Sequence, residues 1–165
     1  MGFVIQFRYQ IMEPINANHQ ILNPNYVTGL ADGEGSFSIS LSPRPKMLVK
    51  WEVRPSFSLA QNKRSRGTLF KLKEFFGCGW VRESKGDNTW KYEVRSLEDL
   101  SKFIIPHFLS YPLKTAKISD FEKFMAVIEK MKNGQHLDPA GLKEIFSIAE
   151  TMNPSGKRKY QDLMK

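Results

Sequence analysis

The chain is 165 residues long, 41% hydrophobic and 12% aromatic, enough apolar material for one packed core. Its 25 Lys and Arg against 17 Asp and Glu leave a formal net charge of +8 and a pI near 9.6, which favours a polyanionic partner. The single cysteine, Cys78, excludes an internal disulfide, the scattered His19, His107 and His136 spell no structural zinc set, and neither a bilayer-length apolar run nor a secretory start is present, so no membrane partner is expected.

In chain order, residues 1–22 show neither helical nor strand periodicity and read as an N-terminal arm. Asn23 followed by Pro24 has the form of an N-cap with proline at the first helical position, opening a helix to about Asp32 that Gly33 and Gly35 close. In SFSISLS, Phe37, Ile39 and Leu41 alternate with Ser36, Ser38, Ser40 and Ser42, the period of a half-buried strand. WEVRPSFSLAQ continues with Trp51, Val53, Phe57 and Leu59 on one face and Glu52, Arg54, Ser56 and Ser58 on the other; Pro55 suggests an edge or a bulge. Leu69, Leu72 and Phe76 mark a helix capped by Gly77, and GWVRES and NTWKYEVR form a hairpin around Lys85 to Asn88. Ser96 with Asp99 resembles a capping box, Pro106 and Pro112 break the run, and Phe121, Met125, Ile128 and Leu142, Ile145, Phe146, Ala149 predict two amphipathic helices. A basic C-terminal tail, residues 154–165, follows a domain of residues 23–153. The order predicts an α+β domain, one antiparallel sheet backed by helices, with no internal repeat.

The charge is concentrated. Residues 1–43 hold 1 basic and 3 acidic side chains, residues 44–95 hold 13 and 5, and residues 96–165 hold 11 and 9, so the middle third carries the whole excess. The polar sheet face falls there. An antiparallel sheet can simply turn such a face to water. This one, however, combines Ser38, Ser40, Ser56 and Ser58 with Arg54, Arg82, Lys91 and Arg95, a mix suited to phosphates and base edges. Lys63, Arg64 and Arg66 follow the second strand directly. The three tryptophans, Trp51, Trp80 and Trp90, read as core or sheet-edge packing, and the histidines as structural.

YVTGLADGEGS, residues 26–36, contradicts ordinary helix design. Gly29 and Gly33 would each weaken a solitary helix by about 1 kcal/mol relative to alanine. Small residues on one face let a second helix approach closely, and the obvious partner is a second copy of this helix. Asp32 and Glu34 stand at the C-terminal end, where the helix dipole favours cations. Asp32 can be a turn-forming aspartate. In a parallel pair of such helices, by contrast, two glutamates and exposed glycine carbonyls converge into an oxygen-rich site for Mg2+ or a similar hard cation.

VTGLADGEG, residues 27–35, resembles the LAGLIDADG signature of homing endonucleases, departing from it at Val27, Thr28, Ala31 and Glu34. With the later order of elements, the resemblance covers roughly residues 24–150. It implies an αββαββα fold whose four-stranded antiparallel saddle sheet lies in a DNA major groove, with Tyr26, Gly29, Leu30 and Gly33 in the interface of a homodimer. It implies a site-specific, intron-mobilising endonuclease that cuts double-stranded DNA at a long pseudo-palindromic site with Mg2+, Mn2+ or Ca2+ substituting for binding, and with no small-molecule cofactor. The catalytic residues it implies are Glu34, which with the Gly33 carbonyl would ligate metal, Gln61, which would position the attacking water, and Lys114, which would stabilise charge near the scissile phosphate; Lys117 is a neighbour to that role. Asp32 would orient the helix junction. An arginine found in some relatives aligns with Ser65, leaving Arg64 or Arg66 to supply it. The expected DNA-contacting set is Ser38, Ser40, Arg44, Arg54, Ser56, Ser58, Lys63, Arg64, Arg66, Arg82, Ser84, Lys91, Glu93 and Arg95. The alternative is a non-cleaving nucleic-acid binder or RNA-splicing maturase of the same fold. Family habit places the gene in an organelle, mitochondrion or chloroplast.

Overall fold

The computed structural model describes residues 22–86 and 88–153, so the arm over residues 1–21 and the tail over residues 154–165 lie outside the described residues. Helix α1 (Pro24–Glu34) is capped as its sequence dictates, with the Asn23 side chain accepting from the Asn25 amide. It leads straight into β1 (Gly35–Pro43), which pairs antiparallel with β2 (Trp51–Asn62). Gly33 is therefore inside the helix, and Gly35 is the residue at the junction. A side chain at Gly35 would put its Cβ 2.6 Å from the Ala31 carbonyl oxygen, so the helix can pass into the strand without a loop only where no Cβ exists.

Helix α2 (Arg66–Phe76) follows a short turn at Lys63–Ser65 and ends at Gly77, whose φ of +66° is the left-handed cap expected of it. The hairpin of β3 (Trp80–Glu83) and β4 (Thr89–Val94) completes a four-stranded sheet of order β1-β2-β4-β3, antiparallel at each described pairing. Pro55 falls where β2 pairs with β1 alone, since pairing to β4 begins at Phe57. Its missing amide proton is thus confined to a stretch with a free edge.

The chain then turns helical, through α3 (Leu97–Asp99), a wide turn at Leu100–Ile104, and α4 (Ile105–Ser110). Ser96 caps α3 by accepting from the Asp99 amide. Pro106 does not break this run: the wide turn precedes it and Pro106 occupies the first turn of α4, where a missing amide costs nothing. Helices α5 (Lys117–Lys132) and α6 (Pro139–Glu150) pack beside each other, joined by Lys130 and Glu144.

All the helices cover one sheet face. Phe37 sits at the centre, its ring centroid 5.0 Å from Phe57, 5.3 Å from Phe108, 5.1 Å from Phe121 and 5.4 Å from Phe124. Burying each such ring contributes about 1.5–3 kcal/mol, so this aromatic cluster dominates the core. Trp51 packs edge-on against Phe146. No helix among the described residues is long and apolar enough to cross a membrane.

His107 ties α1 to α4 within the core. The Thr28 hydroxyl donates to the Tyr111 carbonyl at 2.9 Å, so the imidazole Nε2, 3.2 Å away, is left to donate to Thr28 Oγ1. Burial lowers the imidazole pKa to about 4. The unfolded chain therefore binds this proton at a higher pH than the folded one, and stability falls as pH drops from about 6.5 towards 4.

We expect moving from pH 7.5 to pH 5 to cost about 2 kcal/mol through His107, read as a lower urea midpoint, and His107→Gln to remove that part of the pH dependence. Gly35→Ala is expected to cost about 1–3 kcal/mol by the same measurement.

Candidate nucleic-acid interface and catalytic centre

The unusual acid at the end of α1 is explained by what reaches it from the far side of the chain. Asp32 accepts from the main-chain amide of Lys114 at 2.7 Å, the amide of Thr115 at 3.3 Å and the Thr115 hydroxyl at 2.8 Å. Lys117, the first residue of α5, donates its ammonium to the Ala31 carbonyl at 2.7 Å and the Gly35 carbonyl at 2.5 Å. A cation thus occupies the negative end of the α1 dipole, and Asp32 is held by amides instead of facing it alone. Burial pushes the Lys117 pKa below the ordinary lysine value, while the charges of Asp32, Glu34 and Asp120 pull it up.

Two lysines in PLKTAK stand close enough in sequence for either to serve this end. Lys114 is exposed and meets the site through its main-chain amide; Lys117 is the one whose ammonium enters it. The signal that separates them is position: Lys117 opens a helix, so its side chain direction is set by α5 packing on β1.

Glu34 is the last residue of α1 and is exposed, as is Gly33. Both oxygens of Asp32 are engaged, so the oxygen donors at this tip that suit a hard cation are the Glu34 carboxylate and the late α1 carbonyls. They fit Mg2+ in kind. Among the described residues, however, no group of three or more His, Cys, Asp or Glu is placed to hold a metal, so one copy of the tip supplies only part of a coordination shell.

Gln61 lies within β2, one residue before its end. The register sets Gly35 opposite Leu59, so Gln61, two residues further along, sits at the sheet end where α1 enters. It pairs with Trp90 on the helix-covered phase of the sheet and is half-buried.

The opposite face carries the polar residues in rows. Ser38 is opposite Ser56, Ser40 opposite Arg54, Ser58 opposite both Ser36 and Glu93, and Arg82 opposite Lys91. Ser40, Arg44, Arg54, Arg82 and Arg95 are exposed. Ser56 and Ser58 are buried, and Ser38 is hydrogen-bonded to Ser56 at 2.8 Å, so the serines at the centre are less available than their alternation suggests. At one end Glu52 holds Arg44 at 2.7 Å and Arg54 at 3.5 Å, and Arg54 donates to Ser42. The hydrogen bond from Arg44 lowers the Glu52 carboxyl pKa below its ordinary value.

Lys63, Arg64 and Arg66 line an open recess with Asn62, Ser65, Gly67, Phe70 and Asn88, where Arg66 lies 5.2 Å from the Trp90 ring centroid. Ser84 closes the β3–β4 hairpin by donating its amide to the Thr89 carbonyl. The alternation of GWVRES left one feature unread: Trp80 is on the polar face, opposite Glu93.

On the outer side of α1, Tyr26 is 50% exposed, and a Cβ placed at Gly29 or Gly33 would meet nothing within 4 Å. Nothing described in the chain itself requires those two glycines.

Residues 27–128 match the LAGLIDADG endonuclease family. The chain is 31% identical to probable intron-encoded endonuclease 2 of Neurospora crassa over 133 residues, 80% of this chain but 29% of that longer protein. Its fold is similar to the crystal structure of the homing endonuclease I-TnaI, at a TM-score of 0.77 and 39% identity over 80% of this chain and 88% of that one. It is also similar to the I-SmaMI LAGLIDADG homing endonuclease bound to cleaved DNA, at a TM-score of 0.82 and 35% identity over 87% of this chain and 48% of that one. The glycine-bearing helix, its acidic tip and the strand it feeds all lie inside the matched span, and the chain belongs to the LAGLIDADG endonuclease family.

Proposed function

We propose that the chain is a metal-dependent homing endonuclease that hydrolyses double-stranded DNA at a long pseudo-palindromic site as a homodimer, initiating mobility of an organellar intron. The observation that carries this reading is the junction of α1 with β1: an exposed carboxylate, Glu34, and a partly buried ammonium, Lys117, stand at the end of the strand that opens the basic sheet face. Catalytic groups and DNA-facing surface are continuous through one backbone step. The intron setting is supported by the name of the Neurospora crassa relative.

In this mechanism the arginines and lysines of β2, β3, β4 and the turn at Lys63–Ser65 bind and orient the duplex. Glu34 and the Gly33 carbonyl would hold Mg2+, which when bound supplies Lewis-acid stabilisation of the charge at the scissile phosphate. Lys117 presents a fixed positive charge beside that position, so little reorganisation is needed as negative charge develops. Gln61, at the same sheet end, would orient a water by hydrogen bonding. Asp32 acts indirectly, by fixing the loop that aims Lys117. The roles of Lys114 and Lys117 are thereby exchanged relative to the sequence expectation: Lys114 contributes its amide and Lys117 its charge.

A second α1 would complete the cation site, and the open surface at Gly29 and Gly33 supports pairing through that face.

With plasmid carrying the intron-free insertion site and Mg2+, wild type is expected to cleave, and Glu34→Gln to bind the same DNA without cutting it. Binding by both with cleavage by neither would favour a non-cleaving binder or maturase. Sedimentation equilibrium is expected to give twice the 19.1 kDa chain mass for wild type. Gly33→Leu should give a monomer that stays folded, gaining up to about 1 kcal/mol of helix propensity; a dimeric Gly33→Leu would remove α1 from the interface.

A further inference from the structure

Among the described residues Glu93 is the one acidic side chain near the middle of the basic sheet face, and it is buried, with 2% of its surface accessible. Three cations surround it: Arg95 at 3.1 Å, Arg82 at 3.5 Å and Lys91 at 3.9 Å. They come from β3, β4 and the residue that follows β4, so one carboxylate gathers charges from both strands of the hairpin. Arg95 is pinned twice, since its guanidinium donates to Glu93 Oε1 and lies 5.7 Å from the Trp80 ring centroid. The other carboxylate oxygen, Oε2, is buried and faces the Arg82 guanidinium at 3.5 Å, an ion pair outside hydrogen-bond geometry. The Glu52 cluster at the far end of the sheet is different, because there the carboxylate side chain is 27% exposed and the arginines are free to exchange it for water.

A buried carboxylate would be costly in a surface whose only task is to attract phosphates; a fourth cation or a neutral residue would serve better. What it provides is order. It removes one unit of net charge and fixes the directions of long side chains that would otherwise sample many rotamers. Fixed, geometrically constrained arginines discriminate among base edges, whereas freely moving ones collect phosphates of any sequence.

We propose that Glu93 is a specificity-determining positioning residue, which holds Arg82, Lys91 and Arg95 in a set arrangement for base readout and restrains sequence-independent attraction to DNA. This rests on the duplex-DNA reading of the sheet face given above.

The test compares wild type, Glu93→Gln and Arg95→Gln, with Ca2+ in place of Mg2+ so that binding is read without cleavage. Two probes are used: a mixed-sequence duplex titrated at several salt concentrations, and a randomised duplex library from which each protein selects its preferred sites. Glu93→Gln is expected to bind the mixed-sequence duplex about 3-fold or more tighter near 0.1 M salt, with the slope of log affinity against log salt steeper by about one unit. Its selected sites should lose sequence information at a few adjacent base pairs in each half. Arg95→Gln should lose information at overlapping positions while binding the mixed-sequence duplex more weakly. A purely structural glutamate would change the melting temperature of Glu93→Gln but leave slope and selected sites as in wild type, and that result overturns the inference. If Glu93→Gln does not fold, Arg95→Gln decides: unchanged selected sites overturn the inference, and lost information supports it. Failure of wild type to bind any duplex overturns the DNA reading together with this inference.

Discussion

Lys117 reaches 86 residues back along the sequence to the carbonyl of Ala31 and, from the same ammonium, to that of Gly35. Around it Asp32 collects two amides and a hydroxyl from the segment just before α5. A helix ending in two acids is electrostatically unfavourable by itself, because its last carbonyls already carry partial negative charge. The lysine offsets part of that negative charge, and the amides satisfy Asp32 in a place where water would otherwise have to. Glu34 is then the only acid of the pair left with an exposed carboxylate free to meet a cation from outside. The arrangement of the α1 tip and the step from α1 into β1 are held by this long-range clamp.

The same logic accounts for the glycines. Gly35 is needed within the chain, where a Cβ would strike the Ala31 carbonyl, whereas Gly29 and Gly33 have open space on the side away from the core. One motif therefore contains glycines with opposite reasons for being there. The first permits a direct helix-to-strand passage, which brings Glu34 to the edge of the sheet. The others keep the outer face of α1 flat, a surface suited to close approach by a second helix.

The polar face is not a uniform basic surface. Its serines pair across strands, its arginines are divided between two carboxylates, and the more buried of those carboxylates organises the hairpin end. Reading DNA from a sheet demands that flexible cations be aimed, and acids inside a basic field are a means of aiming them. The recess formed by Lys63, Arg64 and Arg66 has no such carboxylate among its described lining residues, which suits contact with phosphates irrespective of sequence.

Local patterns in the chain were sufficient for the element order, the apolar and polar faces of the sheet, the caps at Asn23 and Gly77 and the family motif, since each depends on residues a few positions apart. Gln61 came only from the family resemblance, and the structure places it inside β2. What the sequence alone left open was which of Lys114 and Lys117 turns its ammonium to the end of α1, the burial of Ser56 and Ser58, Trp80 on the polar face and three cations converging on Glu93. Periodicity assigns a side chain to a face but does not say what stands opposite it. That depends on strand register and on where α5 docks against β1, contacts that join residues far apart in the chain, so only the tertiary structure decides them.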